Sequence, residues 1–83
     1  MTDRPLSDPR LCSIIEGVES SFVSQGRVVR VILTADAMQR QLGAGGDARS
    51  WLETFDANVN LIESAARTVF ASTGKTTIVL QKL

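Results

Sequence analysis

Three stretches of this chain carry residue types that could do chemistry. Gly43-Ala44-Gly45-Gly46-Asp47-Ala48 fits the G-x-G-x-x-G/A spacing that lets backbone amides approach a pyrophosphate. That motif works between a strand and a helix inside a βαβ unit. Here the preceding residues read as a short helix, so a plain interhelix linker is the better reading. Gly74-Lys75-Thr76 resembles the end of a phosphate-binding loop. The glycine required five residues earlier is Val69, and the helix precedes the lysine instead of following it. Gly74 reads instead as a helix stop. The carboxylates Asp47, Glu53, Asp56 and Glu63 follow one another along a helical stretch, where residues 53, 56, 60 and 63 form a solvated polar side.

Nucleophilic and metal chemistry are closed off by composition. The chain has no His and one Cys, so no Cys-His pair, Ser-His-Asp triad or ordinary zinc ligand set can be assembled. The lone Cys12 cannot form an internal disulfide and agrees with a reducing compartment. These absences predict a protein that is not an enzyme and needs no cofactor. With 9 basic and 9 acidic residues the net charge is zero, which argues against general attraction to nucleic acid or to a membrane surface. Its 83 residues make one domain at most, and 43% hydrophobic residues suffice for a core. Unbroken aliphatic runs reach only three residues, as in Val31-Ile32-Leu33, so neither a secretory signal nor a membrane span is expected. A cytoplasmic location follows as the expectation.

The elements that must hold these residues can be read from periodicity. Residues 1–12, with Pro5 and Pro9 among scattered charges, read as a flexible N-terminal tail, leaving 13–83 as the domain. Residues 18–33 read as a hairpin turning at Gln25-Gly26. In its second strand Val29, Val31 and Leu33 share one face, and Val28, Arg30 and Ile32 share the other. Thr34 is suited to cap a short helix over 35–42, with Asp36 in its first turn and Gly43 just beyond its end. Asp47 would cap a long helix over 48–71. Leu52, Phe55, Val59, Ile62, Ala66 and Val69 fall on one stripe of it, and Glu63 and Arg67 stand at i, i+4. Trp51 lies beside that stripe and reads as core with its N–H near the rim; the sharper alternative is an anchor for a partner. Residues 76–80 read as a last strand. The expected fold is therefore α+β, a small antiparallel sheet in the order β-β-α-α-β with the long helix packed on one face.

The order and spacing of Val18 to Leu83 resemble the small bacterial domain-of-unknown-function family 1488. The resemblance is carried by the hairpin around Gly26, by Thr34-Ala35-Asp36-Ala37-Met38 closing on Leu42-Gly43, by Phe55, Asn58, Ile62-Glu63 and Ala66 on the long helix, and by the closing strand. It implies a compact α+β fold in a bacterial cytoplasm and no particular activity.

Two functional readings result. In the first the protein associates, as a homodimer or with an unidentified protein partner. Val28, Arg30, Ile32 and Val79 on the second sheet face, with Leu61 off the helix stripe, are the expected contact residues. In the alternative it is a nucleic-acid accessory protein using Arg27, Arg30 and Lys82. The four aromatics Phe22, Trp51, Phe55 and Phe70 offer few stacking platforms for that role.

Overall fold

The computed structural model describes residues 4–83, which run in the order β1 (Arg4–Leu11), β2 (Gly17–Ser24), β3 (Arg27–Thr34), α1 (Ala35–Gln41), α2 (Ala48–Ala57), α3 (Val59–Thr73) and β4 (Thr77–Leu80). The fold is α+β, with one four-stranded sheet in the order β1-β2-β3-β4. Its centre is the expected hairpin. Gln25 and Gly26 both have positive φ, 54° and 76°, the combination that a two-residue hairpin turn needs to match the strand twist. Ser24 pairs with Arg27 across that turn, and the ladder runs unbroken to Gly17 opposite Thr34. A side chain at Gly17 would collide with the Leu33 carbonyl, so only glycine lets the two strands meet there.

Three expectations about this architecture are corrected. Residues 4–11 are not a tail but the edge strand β1, antiparallel to β2; residues 1–3 lie outside the described residues. Its register skips twice, between Arg4 and Ser7 and between Ser7 and Arg10, and Asp8 sits at φ 56°. Pro5 and Pro9 lack the N–H that a central strand would use, and edge strands with bulges are where proline is tolerated. The first irregularity turns Leu6 into the core, and its N–H is taken by Glu63 Oε1 at 2.7 Å.

The sheet is also mixed and not wholly antiparallel, because β4 runs parallel to β3 with Arg30 opposite Thr77 and Leu33 opposite Leu80. The helical layer crosses the sheet once between β3 and β4, so the chain re-enters from the end where β3 began.

The third correction concerns the helix itself. It is broken at Asn58 into α2 and α3, giving β-β-β-α-α-α-β. Asn58 leaves helical geometry at φ −119°, ψ 21°, and its N–H is shared between the Thr54 and Phe55 carbonyls. Its side-chain amide also donates to the Thr54 carbonyl at 2.9 Å. Such local bonding competes with the regular ladder and bends a helix. The break lets α2 lie against β1 and β2 while α3 lies against β1 and β4.

The apolar stripe survives the break. Phe55, Ile62 and Ala66 are buried against Val18, Phe22, Val29, Val31 and Leu33, while Leu52, Val59 and Val69 flank them half-buried. The helix ends follow their caps. Thr34 Oγ1 accepts the Ala37 N–H, Asp47 accepts the Ser50 N–H, and Gly74 closes α3 at φ 70°.

Candidate functional site

All three helices lie on the Val29–Val31–Leu33 side of the sheet, so among the described residues no helix covers the opposite face. Strand alternation assigns its side chains. Along β3 they are Val28, Arg30 and Ile32; across β2 and β4 they are Val23, Ser21 and Glu19, and Thr77 and Val79. Arg10 faces Glu19 from β1.

The centre of this face is ionic. Arg30 Nη2 stands 2.5 Å from Glu19 Oε2, and Arg10 Nε stands 3.2 Å from Glu19 Oε1. Only 11% of the Glu19 side chain is exposed, so these guanidiniums replace much of its water. The Arg30 hydrogen bond holds the Glu19 carboxyl below its ordinary range against the opposing effect of burial, and Glu19 raises Arg30 in turn. A carboxylate held this way is a poor proton acceptor. The cluster therefore suits charge recognition better than acid–base chemistry.

Four of the five expected contact residues come together here. Val28 is 58% exposed and Val79 41%, with Arg30 between them on the same surface. Ile32 shares the face but is only 4% exposed, because Glu19 and Val79 stand beside it on the same rung. It supports the surface from below. Leu61 is 51% exposed on α3, in the helical layer, and does not join this surface.

The cations of the nucleic-acid reading do not converge. Arg27 stands at the hairpin end of β3, Arg30 is engaged by Glu19, and Lys82 follows β4 at the opposite end of the sheet.

Other residues singled out by type have local partners. The Gly45 carbonyl accepts from Trp51 Nε1 at 3.0 Å, and the Gly45 N–H donates to Ser50 Oγ at 2.7 Å, so the glycine-rich loop is tied to the start of α2. Trp51 is half-buried against the core. Glu53 pairs with Arg49 on the surface. Glu63 does not lie on a solvated face: it joins Leu6 and Arg67, and burial raises its carboxyl less than those two partners lower it. Cys12 is half-buried just after β1, its N–H donating to the Gly17 carbonyl.

The partnership of Arg10 with Glu19 was not legible, because residues 1–12 carried no strand signal. The one available clue was that Glu19 and Arg30 fall on the same side of the hairpin. Among the described residues no three potential metal ligands gather, and no helix is long and apolar enough to cross a membrane. No family model matches the chain, and no curated protein or solved structure matches it either.

Proposed function

We propose that this chain is a small non-enzymatic association domain, kin to the bacterial family it resembles, and that a second copy of itself occupies the open sheet face. The observation that carries the reading is the uncovered face on which exposed Val28 and Val79 flank the Arg10–Glu19–Arg30 cluster. A sheet with one bare aliphatic-and-charged face stabilises itself further by covering it. Self-pairing is favoured over a strongly charged partner by the balance of charge around the rim. Arg10 and Arg30 share one carboxylate and keep donors to spare. Asp8 on β1 and Glu16 in the loop after it are exposed and enter no ion pair among the described residues. In a two-fold arrangement each copy supplies carboxylates to the other's guanidiniums.

The face is small. Four strands at about 4.8 Å spacing and roughly 3.3 Å per residue give a footprint of about 400 Å². A standard interface buries about 800 Å² on each partner. The expected dimer is accordingly weak, with dissociation in the micromolar range, on the order of −8 kcal/mol. Sedimentation equilibrium across that range is expected to show a shift from the 9.0 kDa chain toward twice that mass. Val79→Asp is expected to weaken it by about tenfold or more, while Leu61→Asp leaves it unchanged. A single 9.0 kDa species at every concentration would sink the reading.

A further inference from the structure

A second feature lies on the other side of the sheet and owes nothing to the dimer. Where the β2–β3 turn approaches the end of α3, Ser24, Gln25, Arg27, Arg67, Phe70, Ala71 and Gly74 line an open cavity of about 420 Å³. That is within the size range of small-ligand sites. Its lining is charge-segregated. In a chain with equal numbers of acids and bases, two arginines line this cavity and no acidic residue does among the described lining residues.

The two arginines differ in how they are held. Arg67 is fixed: its Nε bonds Glu63 Oε2 at 2.9 Å, its Nη2 reaches the Arg4 carbonyl at 3.4 Å, and its guanidinium lies 4.5 Å from the centre of the Phe22 ring. Phe22 is itself buried and meets Phe70 edge to face at 6.2 Å. The apolar wall and one cation are thus set by the core before any ligand arrives, which lowers the cost of binding. Arg27 is exposed and enters no ion pair among the described residues. Because Glu63 balances Arg67, the cavity presents a net single positive charge, with a guanidinium able to close on an anion.

We propose that this cavity binds a small organic anion with a flat apolar body, a carboxylate or a phosphate monoester on an aromatic ring. Arg27 takes the anionic group, Arg67 supplies its remaining N–H donors, and Phe70 with Ala71 receives the ring. The site is distinct from the open sheet face. Arg27 shares the strand parity of Val29 and Val31, and the rest of the lining comes from the hairpin turn and α3.

The test is a titration of the whole chain followed by amide NMR, with benzoate, phenyl phosphate, inorganic phosphate and benzyl alcohol as probes. Benzoate or phenyl phosphate is expected to give saturable shifts at Gly26, Arg27, Ala71 and Gly74 below about 10 mM. Benzyl alcohol and inorganic phosphate are expected to bind at least about tenfold more weakly, since each lacks one half of the recognised group. Arg27→Gln is expected to weaken the anion by about tenfold, with Arg27→Lys intermediate and the rest of the spectrum intact. Absence of saturable shifts with both aromatic anions would overturn the proposal. So would equal binding of the neutral alcohol, equal binding of bare phosphate, or indifference to Arg27→Gln.

Discussion

The two carboxylates with altered acidity, Glu19 and Glu63, show how a side chain's role follows from its surroundings. Each has its folded-state pKa held below the ordinary value of 4.5, Glu19 chiefly by the Arg30 hydrogen bond. For Glu63, burial acts in the opposite sense and is outweighed by the Leu6 N–H and Arg67. A depressed carboxylate contributes stability that is fully present above its unfolded pKa and is lost as pH falls through its folded one. Urea denaturation is therefore expected to show stability declining below about pH 4.5 and still declining beneath that value. Glu63→Gln is expected to flatten part of that acid limb and to cost about 1–3 kcal/mol at neutral pH, since the buried Leu6 N–H loses a charged acceptor. An acid limb identical to that of the parent would show the coupling to be absent. Glu63 was legible only as an i, i+4 partner of Arg67; its bond to Leu6 spans 57 positions, and helical periodicity carries no such information.

At the level of elements, propensity and capping located the hairpin, α1 and both ends of the helical layer. They failed at β1, where each residue that discourages a strand does so for a local reason the sheet edge tolerates. Pro5 and Pro9 need no ladder partner on the solvent side, and Asp8 accepts a positive φ. Leu6, the one β1 residue buried in the core, tests the assignment. Leu6→Ala is expected to cost about 2–4 kcal/mol in thermal or chemical denaturation. A change within about 0.5 kcal/mol is the outcome expected of a detached tail. The helix break at Asn58 has a visible signal in hindsight, since Asn bonds readily to nearby backbone. The stripe of apolar residues continues through it, and that continuity is why one rod looked sufficient. The direction of β4 was also within reach: a strand, one helical traverse and another strand in the same sheet make a parallel pair.

On the scale of the whole molecule, the sheet separates two surfaces. The open face carries Val28, Arg30 and Val79, and the cavity with Arg27 lies on the helical side. Substitutions at sites with no shared partners act independently. Val79→Asp is expected to weaken dimerisation by about tenfold or more and leave binding of phenyl phosphate unchanged; Arg27→Gln is expected to weaken that binding by about tenfold and leave dimerisation unchanged. Loss of both properties in either variant, read by light scattering and NMR, would show the surfaces to be coupled. Side-chain types and their period were enough to place the chain in the α+β class and to sort the hairpin residues into its two faces, because alternation along a strand is a local pattern with a two-residue repeat. They also sufficed for the caps, since a cap acts within three or four residues. The pairing of β1, the Arg10–Glu19–Arg30 cluster and the meeting of Arg27 with Arg67 all depend on folding. Each joins residues whose separation in the chain has no period, and only the packed sheet and helices bring them together.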